Sequence, residues 1–455
     1  MTVTEKLANF IAKTDIGDMP SEVVLLTKRA IIDTLGVALA GSVQPVGKTI
    51  TAFVNEFGCQ PVAGVIGDKV RTSSPLAAMA NGTIAHLLDY DDCAEAGVQG
   101  HPSVVLVSVV LALGEELKAS GKEIIAAYVL GFETWARISS MVPQLHLKGW
   151  HPTSVLGTVG GAAAAAKLLK LTPEQTAITL GIACSESAGL IHNFGTTTKP
   201  LHAGNAARNA IIAALLAKRG FTASPNIMEG EGNFPVTFYG SGVGNASKVI
   251  EKLGASYALI SHGIGVKKYP NCYATHRPLD AVLHLIELHD IKPEEVEAVK
   301  VVSTPIAESV LIHSDPSTAL AGKFSMQFAM AVALTDRRLG LEQVTDKKVN
   351  DPVIKSLMKK VTLSVHPDWV QGKDIVDTRA DIVTVRLKNG KEYSEEVLVA
   401  KGGAQSPLEE EELLAKYRDC AKLALNERAV EQCLELVWQI EKLGDIRELM
   451  RVLAG

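Results

Sequence analysis

The chain has 455 residues, 47% of them hydrophobic, 21% charged and 5% aromatic, with a formal net charge of −5. That length suits two domains, and the composition is that of a globular protein whose small aliphatic residues favour closely packed helices over an aromatic-rich sandwich. No Lys/Arg block is present, which argues against nucleic-acid and membrane-surface partners; a local pair of lysines still suits an anionic substrate.

The N-terminal stretch MTVTEKLANFIAKTDIGDMP is amphipathic and lacks a basic segment followed by an apolar core. The longest mostly apolar run, Val104–Leu113, is half the ~20 residues that a membrane span needs. The six cysteines are scattered without a CxxC pair, which speaks for free thiols in a reducing compartment and against a zinc ribbon. A cytoplasmic location follows as the expectation.

Apolar residues recur at helical spacing from Ser21, and residues 21–70 read as helix, glycine-containing loop, helix. Further helices are predicted over 74–91, 102–120 and 122–138. The Gly/Ala-dense stretch 154–169 reads as a buried central helix, because small side chains let neighbouring helices approach. Thr172 should cap the next helix with Pro173 at its first position, and 205–219 should be helical again.

The character changes after Gly265. Strands are predicted over 296–304, 361–365, 381–387 and 391–399, the last two joined by an Asn389-Gly390 turn, with helices over 278–289 and 323–339 between them. Helices return at 407–425, which opens with four glutamates, and at 426–452, with Gly444 as a possible break. The expected fold is mainly α. A large all-helical domain comes from both chain ends (1–266 and 405–455), and a smaller α+β lid domain from 267–404.

Four stretches concentrate chemistry. The first runs His86–Asp89–Asp91–Asp92–Cys93 and continues to Gly100–His101–Pro102. In the second, Gly149–Trp150–His151–Pro152, His151 stands at a helix N-terminus, where the dipole favours a neutral imidazole. The third, TTTKPLHAGN, carries Lys199 as the one formal charge in a neutral run, which suits an anion ligand. The fourth, VKKYPNCYATHR, brings Lys267, Cys272 and His276 together at the expected domain junction.

Two other features are set aside. Gly240–Gly244 lacks dinucleotide-binding spacing, and His284 with His289 are five apart and make poor metal ligands. No metal or organic cofactor is called for.

Taken together, LLDYDDC with GHPS, GWHPTSVLGTVGGAAAAAKLL, TTTKPLHAGNAARNA and VKKYPNCYATH resemble the 2-methylcitrate dehydratase (MmgE/PrpD) family. The resemblance implies homodimers that act without a cofactor on small di- or tricarboxylates, as 2-methylcitrate dehydratases, cis-aconitate decarboxylases or an iminodisuccinate epimerase. Pocket positions carry over as Asp89, His101, His151, Lys199 and Lys267. Cys93, Cys272 and Phe328 stand where the decarboxylases have Thr, His and Tyr. His101 and His151 are therefore the expected acid/base pair, with Asp89 orienting one imidazole and Lys199, Lys267, Cys93 and Cys272 meeting the substrate. The reading is a hydro-lyase that dehydrates a hydroxy-polycarboxylate. Epimerisation and decarboxylation are alternatives, as is an inactive carboxylate-binding helical dimer.

Overall fold

A computed structural model describes residues 1–94, 97–240, 246–251, 253–369 and 379–455. Most of the Gly240–Gly244 stretch lies outside them. Contacts divide the chain into two compact units. One comprises Met1–Leu190, Lys199–Val266 and Glu409–Gly455, and the other Ile191–Thr198 and Lys267–Leu408. The protein is mainly α-helical, and no described helix is long and apolar enough to cross a membrane.

The first unit is built on buried helices. Pro102–Leu117, Gly121–Met141 and Pro152–Leu168 pack on one another, and the whole Val104–Leu113 run is buried. Local signals set the ends. Thr2, Ser120 and Thr172 each accept the backbone N–H three residues on, and Glu5, Glu123 and Gln175 return the bond in capping boxes. Proline occupies the first position of the helices at 102, 152 and 173.

Close approach matters most where Ser74–His86 crosses the helix that starts at Thr198. A Cβ on Gly204 would lie 2.3 Å from the Met79 carbonyl oxygen, and one on Gly82 3.1 Å from Gly204 Cα. Two glycines thus let these backbones touch, which sets His86 near Lys199.

The second unit carries a four-stranded sheet in the order Val361–Val365, Val296–Ser303, Asp381–Leu387, Glu392–Val397. The first pair is parallel and the others antiparallel. Alternate residues of the 381–387 strand are buried, and the helix His276–His289 packs on this sheet. Phe328 is fully buried in this unit's apolar core.

Several boundaries differ from expectation. The helix predicted over 74–91 ends at His86, because Asp89 takes a left-handed φ of +52°. The helix predicted over 323–339 is shorter, Met326–Asp336: Ser325 caps its start, and Arg337 ends it with a left-handed φ of +55°. The helix after Ser42 stops at Asn55, and residues 63–64 and 71–72 pair as a short antiparallel ribbon. The last helical stretch does break around Gly444, as expected, into Glu427–Trp438 and Arg447–Leu453.

Candidate active site

The first unit brings four histidines together. A residue preceding proline is pushed out of helical backbone, so His101 and His151 become the N-caps of Pro102–Leu117 and Pro152–Leu168. Gly100, at φ +87°, lets the two caps meet: a Cβ there would lie 2.8 Å from Thr153 N. The His101 N–H then donates to Thr153 Oγ1 at 3.1 Å. Ring centroids of His101 and His151 are 6.5 Å apart, and His86 sits 4.7 Å from the first and 5.6 Å from the second.

The left-handed turn at Asp89 separates the acids that follow His86. Asp89 Oδ1 accepts from Lys199 Nζ at 2.5 Å, and both side chains are 3% exposed. Asp91 Oδ2 lies 2.9 Å from His86 Nδ1 and 3.2 Å from His101 Nδ1. The Asp92 carbonyl lies 2.7 Å from His101 Nδ1. The Asp92 carboxyl contacts Ser103 Oγ, which in turn is 2.6 Å from Tyr128 OH. Behind the turn, Lys416 of the Glu410–Ala421 helix donates to the Tyr90 carbonyl at 2.7 Å and meets Asp33 Oδ1 at 2.6 Å.

Electrostatics follow from burial. Burial first, and Lys199 second, hold His151 well below the usual imidazole range and His202 down to about 4. Burial likewise keeps His86 low, although Asp91 opposes it. Burial works to raise Asp91, but His86 and His101 outweigh it and hold its carboxyl ionised. Burial pushes the Asp92 carboxyl up to about 8, with the negative charges of Asp91 and Asp33 adding to the rise and Ser103 opposing it. The result is three imidazoles held neutral, His86, His151 and His202, beside the buried Lys199 ammonium.

The structure therefore gathers Asp89, His101, His151 and Lys199. The expected imidazole-orienting role of Asp89 is corrected: Asp91 contacts two imidazoles, while Asp89 holds Lys199. His86, Asp91 and His202 were not assigned roles from sequence. The signal for His202 was its place three residues after Lys199, on the same helical face.

Cys93 lies on a two-residue antiparallel pairing with Gly265, its thiol 3.7 Å from the Ala94 carbonyl. Lys267, Cys272 and His276 belong to the second unit and are buried. There, His284 meets Glu395 at 3.2 Å and the His289 ring stacks on Tyr393 at 3.8 Å.

One ligand atom from each of His86, Asp89 and His101 falls within 4.8 Å of the others, a spacing compatible with a metal. Lys199 already occupies Asp89, the one anionic member, so an incoming cation would meet an ammonium. The donor set fits an anionic ligand better.

Two family models cover most of the chain. The MmgE/PrpD N-terminal domain matches residues 5–243, and the MmgE/PrpD C-terminal domain residues 269–441. The chain belongs to the MmgE/PrpD family. Relatives within reach of this MmgE/PrpD chain include the cis-aconitate decarboxylase of Homo sapiens, 28% identical over 466 residues and covering 100% of this chain and 95% of that protein. The cis-aconitate decarboxylase of Aspergillus terreus is 27% identical, covering 99% and 96%. The mitochondrial 2-methylcitrate dehydratase of Yarrowia lipolytica is 24% identical, covering 85% and 77%. These relatives are lyases by name.

Proposed function

We propose that this protein is a lyase that dehydrates a small hydroxy-polycarboxylate, without a metal or organic cofactor, by removing a proton next to a carboxylate. The observation that carries the reading is the buried Lys199 ammonium set among imidazoles held neutral. Removing a proton from a carbon beside a carboxylate creates an enediolate, which water stabilises poorly and a desolvated ammonium stabilises well. A site that merely held an anion would need Lys199 but not the histidines.

His101 is the base. Its Nδ1 faces the Asp92 carbonyl and the Asp91 carboxylate, both acceptors, so the neutral ring keeps its proton there and its Nε2 is unprotonated. The carbon-bound proton moves to that Nε2. The carbon–oxygen bond then breaks, an imidazole N–H protonates the departing hydroxide, and water leaves. Lys267 and Cys272 enter as substrate ligands on the family resemblance alone, as does a homodimeric assembly.

A second reading is decarboxylation of an unsaturated tricarboxylate, favoured by full-length similarity to decarboxylases. There the carbon–carbon bond to a carboxylate breaks, CO2 leaves, and the carbanion takes a proton. Cys93, Cys272 and Phe328, which replace decarboxylase residues, weigh against it.

The test is a panel of citrate, 2-methylcitrate, cis-aconitate and malate in D2O, followed by NMR. Deuterium beside a carboxylate with loss of water is the expected result. Loss of CO2 from cis-aconitate would replace dehydration by the second reading. A pure, folded protein that changes none of them would sink both.

A further inference from the structure

His86 and His101 both turn Nδ1 toward oxygen acceptors, Asp91 Oδ2 at 2.9 Å and the Asp92 carbonyl at 2.7 Å. Neither ring, when neutral, has a proton left for Nε2. His151 differs. Its Nδ1 faces His202 Nδ1 at 3.1 Å, a nitrogen–nitrogen contact that needs one proton between two rings. Whichever ring supplies that proton decides what His151 shows at its other nitrogen.

We propose that His202 is a positioning residue: it donates its Nδ1–H to His151 Nδ1, which keeps the His151 proton on Nε2 and makes His151 a neutral hydrogen-bond donor to the enediolate oxygen. The inference deepens the lyase reading and rests on it. In this arrangement His151 transfers no proton. His101 takes the carbon-bound proton at Nε2 and, as imidazolium, returns it to the departing hydroxide, so the protons balance on one residue.

Three features support the assignment. A helix N-terminus favours a neutral imidazole over a charged one, and His151 caps Pro152–Leu168. His202 is built into place: Ser154 Oγ donates to its carbonyl at 3.3 Å. Gly189, at φ +117°, clears the space beside it, because a Cβ there would lie 2.8 Å from Ser154 Cβ and 3.4 Å from His202 Cγ. Finally, burial and Lys199 keep His202 neutral, so it has one N–H to give.

The experiment compares His202→Phe, His202→Asn and His151→Gln, each checked for folding by circular dichroism. The substrate is whichever panel member the wild-type protein turns over. Loss of one such donor costs roughly 10²–10³-fold in kcat. His202→Phe should fall by that much with KM little changed, while His202→Asn, whose amide can donate from the Nδ1 position, should recover most of it. His151→Gln carries its own amide donor near the Nε2 position, so adding His202→Phe to it should cost nothing further. Wild-type kcat in His202→Phe, or an undiminished loss when it is added to His151→Gln, would overturn the inference. Failure of the lyase reading would show instead in the wild-type protein.

Discussion

Lys199 and Asp89 form an ion pair at 2.5 Å with both side chains 3% exposed, and Asp89 reaches it from a left-handed turn. The turn is what makes one carboxylate serve the ammonium while Asp91, two residues later, serves the imidazoles.

Lys199→Ala should therefore harm both stability and turnover. Removing one member of a buried pair typically costs ~3–5 kcal/mol of folding stability. Losing a cation that faces developing negative charge costs about 10²–10³-fold in kcat. Lys199→Arg should suffer far less on both counts. Urea denaturation and steady-state kinetics check this, and an Ala variant with wild-type turnover would remove Lys199 from the anion site.

His101→Gln keeps a polar side chain but cannot take a proton. Turnover should drop by at least ~100-fold, the low end for general acid/base catalysis, and deuterium uptake beside the carboxylate should fall in parallel. Uptake that persists while turnover is lost would assign the base elsewhere.

Stability should peak near pH 6.5. Below that, unfolded histidines take protons that native His86, His151 and His202 refuse, so stability falls as pH drops. Above it, native Asp92 keeps a proton, up to about pH 8, that the unfolded chain has already lost. Stability therefore also falls as pH rises from 6.5 to 8, by about 2 kcal/mol from this group. Asp92→Asn should flatten that alkaline limb in urea titrations at stepped pH; an unchanged limb would contradict the assignment.

Turnover should survive exhaustive EDTA treatment. If activity were lost and returned only with zinc or iron, His86, Asp89 and His101 would be ligands, and Lys199 would have to leave Asp89.

Local chemistry was the legible part of this fold. Thr172 caps its helix and Asn389-Gly390 joins the 381–387 and 392–397 strands, because both signals act within a few residues. His101 and His151 stood out for the same reason, each before a proline. The roles of Asp91, His86 and His202 were not legible in this way. Their roles depend on the +52° backbone at Asp89 and on the Gly82–Gly204 crossing, and spacing along the chain carries neither. The start of the 326–336 helix at Ser325 was hidden because apolar residues continue on both sides of it.

The lysine behind Tyr90 gives the site a timetable. Lys416 reaches that carbonyl across 326 residues of chain. At roughly 5–20 residues per second, the ribosome needs on the order of 15–65 s between making the loop and making its clamp. During that interval Lys199 is already made and can pair with Asp89, while the Tyr90 carbonyl still lacks its lysine. The Tyr90 carbonyl thus gains its lysine only when one of the last helices of the chain, Glu410–Ala421, has been made.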